Sequence, residues 1–128
     1  MIDHLGISVS NIEQSKVFYL RVLGALGYVV GGNGPGFVGF GVPEGTGKSA
    51  DPGGDFWISE GPLMTPRVHI AFSAASRADV DAFYAAGVAA GGTDNGEPGV
   101  RAHNHPSYYA AFVLDPDGYN IEAVCHVK

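Results

Sequence analysis

Two stretches of this chain repeat one another at a spacing of 65 residues. Asp3-His4-Leu5-Gly6-Ile7-Ser8-Val9-Ser10 leads to Phe18-Tyr19, and Arg67-Val68-His69-Ile70-Ala71-Phe72-Ser73 leads to Phe83-Tyr84. His4 and His69, Phe18 and Phe83, and Tyr19 and Tyr84 all obey that spacing. A period near half of a 128-residue chain points to a duplicated supersecondary unit rather than a solenoid. Two copies of one unit can bring two equivalent histidines together around a pseudo-twofold axis. That is a metal-site geometry.

The repeat carries secondary structure with it. Leu5, Ile7 and Val9 share one face of a strand at residues 2–9, with His4, Gly6 and Ser8 on the other. Ser10 or Asn11 caps a helix whose stripe is Ser15, Phe18, Tyr19, Val22, Leu23 and Leu26, with Gly27 as its stop. In the second copy Val68, Ile70 and Phe72 oppose Arg67, His69, Ala71 and Ser73, and Ser76 with Asp79 caps a helix bearing Val80, Phe83, Tyr84, Gly87 and Val88. Gly-rich segments then read as short strands: about 28–31, 36–42 and 55–59 in the first half, and about 99–103, 108–114 and 119–124 in the second. Each half is thus a βαβββ unit, about 1–62 and 66–128 of a single domain. The apolar strand faces must cover the helices, so His4, Ser8, His69 and Ser73 line the opposite, concave side. The Gly- and Pro-rich stretch 43–54 reads as a loop near the cavity mouth.

Composition limits the partners. Seven basic against thirteen acidic residues give a net charge of −6 with no basic run, which argues against nucleic acid or an anionic membrane. Cys125 is the sole cysteine, no 18-residue apolar run exists, and residues 1–20 lack a signal peptide's basic start and apolar core. These features lead us to expect a soluble cytoplasmic protein.

The last strand supplies a third chemical group. Asp115-Pro116-Asp117-Gly118 is a turn signal, and the strand after it places Asn120, Glu122 and Val124 on one face. A carboxylate between Ile121 and Ala123 is costly to bury without a cation or donors. His4, His69 and Glu122 together would give two imidazoles and a carboxylate, with positions open for water or substrate.

With these residues the chain resembles the vicinal oxygen chelate superfamily, which includes glyoxalase I, extradiol dioxygenases, and fosfomycin- and bleomycin-resistance proteins. The matching pieces are Ile2 to Val9, Val68 to Phe72, and Tyr109 to Val124. The resemblance implies an α+β fold of two βαβββ modules, forming a cupped mixed sheet around a metal-binding cavity, often in a homodimer. It implies His4, His69 and Glu122 as ligands of one divalent ion (Zn, Fe, Mn, Ni or Co). Glyoxalase I has a fourth protein ligand on the last strand of its first module. The position equivalent to Glu122 is Trp57 by the 65-residue offset, or Ile58 if Asp51-Pro52 is aligned with Asp115-Pro116, and neither binds metal. Three ligands remain.

Around this triad, Arg101, His103, His105, Tyr108 and Tyr109 read as a substrate-contacting rim. Arg101, His105 and Tyr108 would bind substrate, and His103 or Tyr109 would help Glu122 move a proton. Alternation allows only one of the two tyrosines into the cavity. Trp57 reads as a substrate-contacting pocket wall or as core, and its alignment with Glu122 favours the wall. Gly34 to Gly39 and Gly47-Lys48-Ser49 mimic phosphate loops, but neither opens a helix. The expected function is lyase or isomerase chemistry on a small substrate with vicinal oxygens. An Fe(II) extradiol-type dioxygenase and a non-catalytic drug-binding protein are the alternatives.

Overall fold

The computed structural model describes residues 1–128. It contains β1 (Leu5–Val9), α1 (Ile12–Gly24), β2 (Val29–Gly34), β3 (Phe37–Gly41), β4 (Phe56–Glu60), β5 (His69–Ser73), α2 (Arg77–Ala89), β6 (Thr93–Val100), β7 (Tyr109–Leu114) and β8 (Asn120–Cys125). The α+β fold of two βαβββ modules is therefore observed. The strands form two four-stranded sheets, β1-β4-β3-β2 and β5-β8-β7-β6, with β1 parallel to β4 and β5 parallel to β8. No helix is long and apolar enough to cross a membrane.

Both helices start where side chains satisfy their first free N–H groups. Asn11 Oδ1 accepts from Gln14 N and Ser76 Oγ from Asp79 N. Glu60, at the end of β4, accepts from Ile12 N and so adds an anion at the α1 N-terminus. The apolar stripes then join one core. Ile7, Val9, Phe18, Tyr19, Val22, Phe40, Phe56 and Ile58 of the first module are buried with Phe72, Val80, Phe83, Val113 and Ile121 of the second. Phe56 meets Phe72 edge to face, with ring centroids 5.2 Å apart. Gly87 lets α2 approach closely: a Cβ there would lie 3.1 Å from Val113 and 3.3 Å from Val22.

Two strands differ from the sequence expectation: β2 runs on to Gly34 instead of ending near 31, and β6 is displaced. β6 occupies 93–100 rather than about 99–103, because it starts directly after α2 and shifts register between Asp94 and Gly96 and again between Gly96 and Gly99. It is an edge strand, which is where a bulged, Pro98-containing segment is tolerated.

The turn before β8 joins the two modules. Asp115 is buried, and its carboxylate accepts from Tyr19 Oη on α1 at 2.5 Å and from the backbone N–H groups of Asp117 and Tyr119 at 2.9 Å each. The Asp117 carboxylate accepts from the N–H and the hydroxyl of Ser10, just past β1. Tyr119 Oη donates to the Ser8 carbonyl at 2.6 Å and accepts from Met64 N. Burial raises the Asp115 pKa, and the three donors oppose that rise. A carboxyl with a raised folded-state pKa binds its proton more tightly folded than unfolded. Its contribution therefore favours folding at acid pH and is lost as pH rises through the folded pKa.

The Tyr19 hydroxyl supports the ionised form. Tyr19→Phe should therefore cost about 1–3 kcal/mol near neutral pH. The deficit should shrink as pH falls through the Asp115 titration. Urea denaturation of both proteins across that range tests this, and a deficit that does not change with pH would refute it.

Candidate metal centre

Strand register decides which side chains share the helix-free face of the second sheet. His69 lies opposite Asn120, Ala71 opposite Glu122, and Phe112 opposite Glu122 from the other side. Glu122 is 1% exposed, so its carboxylate needs partners. His69 Nε2 donates to Oε2 at 2.8 Å and Tyr108 Oη donates to Oε1 at 2.5 Å. The hydrogen bond to Glu122 is the main reason the Tyr108 phenol is pushed up to about 12, with burial adding to it. The His69 ring lies 6.1 Å from that of Phe112.

Four of the predicted residues are brought to this face: His69, Glu122, Tyr108 and Arg101, whose guanidinium lies over Phe112. His105 stands at its end, with Nε2 2.7 Å from His126 Nδ1 and ring centroids 4.9 Å apart, and both rings meet Tyr108 edge on. Ser107 N–H donates to His105 Nδ1, so the neutral ring carries its proton on Nε2 and donates to His126. The sequence reading missed His126, although residues 122, 124 and 126 have the spacing of one strand face.

Other predicted residues are elsewhere. Tyr109 pairs with Cys125 on the helix side of the sheet, where its hydroxyl donates to Asp81 of α2 at 2.7 Å and Arg77 covers its ring. It does not reach Glu122, because alternation sends Tyr108 there instead. His103 is exposed on the loop between β6 and β7. His4 is exposed just before β1, with Nδ1 2.8 Å from Asp3 Oδ1. Within one chain no three His, Cys, Asp or Glu side chains converge on a point fit for a metal. His69 and Glu122 do converge, and imidazole with carboxylate is a donor set that suits divalent transition ions. Asp3 accepts from Nδ1–H of His4, which leaves the Nε2 lone pair of His4 free to ligate. A cavity of about 820 Å³ runs beside β5, lined by Leu5, Tyr28, Phe56, His69 and Phe72 among others.

The first module has no acidic counterpart. Leu5 pairs with Phe56 as Ile70 pairs with Ile121, and Gly6 with Trp57 as Ala71 with Glu122. The 65-residue offset is therefore the structural one, and Trp57 holds the place of Glu122. Its indole lies on a glycine floor: a Cβ on Gly32 would sit 2.4 Å from Cη2, and one on Gly39 2.9 Å from the ring. Nε1 donates to the Gly54 carbonyl at 3.0 Å, and Phe37 packs beside the ring. Asp55 and Glu60, the nearby carboxylates, accept from Ser49 and from Ile12 N.

Comparison with known proteins places this geometry. Residues 1–123 match the model of the Glyoxalase/Bleomycin resistance protein/Dioxygenase superfamily. A glyoxalase/bleomycin resistance protein from Albidiferax ferrireducens T118 is similar at 32% identity over 96% of each chain, with a TM-score of 0.75. A glyoxalase-related enzyme from Fulvimarina pelagi shares the fold at 18% identity and a TM-score of 0.69, over 98% of this chain and 87% of its own. A glyoxalase/bleomycin resistance protein/dioxygenase family enzyme from Burkholderia phytofirmans PsJN does so at 18% identity and a TM-score of 0.71, over 98% of each chain. A search of curated proteins gave no match.

The sole tryptophan makes the glycine floor testable by fluorescence. Gly32→Ala should push the indole outward, red-shift its emission and cost about 1–3 kcal/mol. Unchanged emission and stability would mean that Gly32 does not seat the ring.

Proposed function

The chain belongs to the glyoxalase/bleomycin resistance protein/dioxygenase superfamily, and on that premise we propose a divalent-metal-dependent enzyme of lyase or isomerase type, acting on a small substrate with vicinal oxygens. The observation that carries the reading is the His69–Glu122 pair, a buried carboxylate 2.8 Å from an imidazole nitrogen on an open sheet face. His4 completes the ligand set from a second copy of the chain. Two features support that homodimer: His4 stands away from His69 and Glu122 in its own chain, and β1 and β5 are both edges of their sheets. Unpaired edges favour partner strands, and a twofold pairing would serve both edges at once.

The ion, when bound, supplies Lewis acidity toward the two substrate oxygens. Glu122 is the group we assign to move the substrate proton, with the Tyr108 hydroxyl holding its Oε1. Tyr109 is committed to Asp81 and has no part in this step. Trp57 forms the wall of the first module's side. The two-imidazole, one-carboxylate set also suits Fe(II), so an extradiol-type dioxygenase is the second reading. A drug-binding protein would need the cavity but no ion. The lone, buried Cys125 fits a reducing compartment, and we place the protein in the cytoplasm.

Elemental analysis of protein purified without chelator or nickel resin should find near-stoichiometric divalent metal, lost in His4→Ala and in Glu122→Gln. Co-expressing the two variants should restore about a quarter of it, since about half of the dimers are mixed and each mixed dimer has one intact ligand set of two. Iron would favour the dioxygenase over the lyase. No metal after reconstitution with several ions would overturn the enzyme reading, and metal held by monomers would overturn the shared site.

A further inference from the structure

The helix-free face of the second sheet carries a cation that the metal ligands do not use. Arg101 follows β6, and its N–H donates to the Tyr108 carbonyl at 2.7 Å, so the two residues are cross-strand neighbours. The Arg101 side chain folds back along the sheet until its guanidinium carbon lies 5.4 Å from the Phe112 ring centroid. Two glycines make room for it. A Cβ on Gly99 would stand 3.2 Å from Nη1, and one on Gly96 3.2 Å from Nη2.

So placed, the guanidinium is nearly unspent. Its side chain makes one hydrogen bond within the chain, from Nη2 to the Glu97 carbonyl at 2.7 Å, and no ion pair. Glu122, directly across from Phe112, has one oxygen taken by His69 and the other by Tyr108. A planar fork of free N–H donors suits the two oxygens of an oxyanion. The chain carries a net charge of −6, so an anionic ligand needs a local cation of this kind to enter.

We propose that Arg101 is the oxyanion-binding residue of this site, and that the substrate carries a carboxylate or phosphoryl group about one phenyl ring away from its vicinal oxygens. The position of those oxygens rests on the metal-centre reading above; the anion site itself does not. Phe112 sets the separation, because its ring lies under Arg101 and beside His69.

The test is titration of the purified protein with acetate and with methylphosphonate, followed by NMR at the backbone amide signals of the β6–β7 face around Phe112, which every variant retains. Wild type, Arg101→Gln, Arg101→Lys and Gly99→Val are compared, with thermal melts as folding controls. Arg101→Gln should weaken binding by about tenfold or more. Arg101→Lys should recover only part of it, because the ammonium lacks the fork. Gly99→Val keeps the charge but evicts the guanidinium from Phe112, and should resemble Arg101→Gln. Tighter binding of one probe identifies the group as carboxylate or phosphoryl. Equal binding by wild type and Arg101→Gln overturns the proposal, as does a loss of Zn(II) affinity in Arg101→Gln without loss of anion affinity. If neither protein holds Zn(II) but anion binding still depends on Arg101, the metal reading fails and the anion site stands.

Discussion

The buried Asp115 carboxylate fixes how the two modules of this chain sit against each other. It collects a phenol from α1 and two backbone donors from its own turn, while Asp117 and Tyr119 reach Ser10 and Ser8 at the end of β1. Module 1 is thereby tied at the C-terminal end of β1 to the turn that launches β8. Tyr19, Asp115 and Tyr119 are buried, so losing one of them strands a buried polar partner, while the Ser10–Asp117 hydrogen bonds lie at the surface. The aromatic core around Tyr19, Phe56 and Phe72 fills in behind that clasp, and Asp115 sits inside it because Tyr19 presents a hydroxyl there.

Duplication has left the same backbone plan with opposite chemistry on its two open faces. Where module 2 has Glu122, module 1 has Trp57, and the register shows these to be equivalent positions. A bulky indole on a flat sheet needs cleared ground, which Gly32 and Gly39 supply. Gly96 and Gly99 clear the same kind of ground for Arg101 in module 2. Glycines of β2 and β3 in one module, and of β6 in the other, thus let one large side chain lie down on each sheet. One module presents an indole there, and the other a polar face built on His69, Glu122, Tyr108 and Arg101.

Much of this was legible in the sequence because it depends on period and parity. The 65-residue spacing of His4 and His69, and the alternation around each, gave the modules, their faces and both helix caps. The turn 115–118 and the odd carboxylate at 122 pointed to β8 and its buried acid. What escaped depends on exact register or on contacts through space. Whether Tyr108 or Tyr109 faces the cavity turns on a single residue of strand phase, which composition cannot set. β6 was misplaced because two bulges and Pro98 disguise its alternation. That Asp115 and Asp117 hold α1 and β1 requires partners about a hundred residues away in sequence, a link no local pattern contains.

The clasp also bears on where a complete ligand set can form. It grips β1 at its C-terminal end, through Ser8 and Ser10, while His4 precedes the N-terminal end of the same strand. His4 therefore belongs to a module whose orientation is already set, and in its own chain it does not converge with His69 and Glu122. On the proposed reading, ion binding then requires association, and the two equilibria are linked: a ligand that needs both chains stabilises the dimer as strongly as dimer formation tightens the ligand. Such a protein would sense its own concentration and its metal supply through a single equilibrium. The contact with Asp3 would also help such a capture, since a histidine already oriented next to the start of β1 loses less freedom when a second chain binds through it.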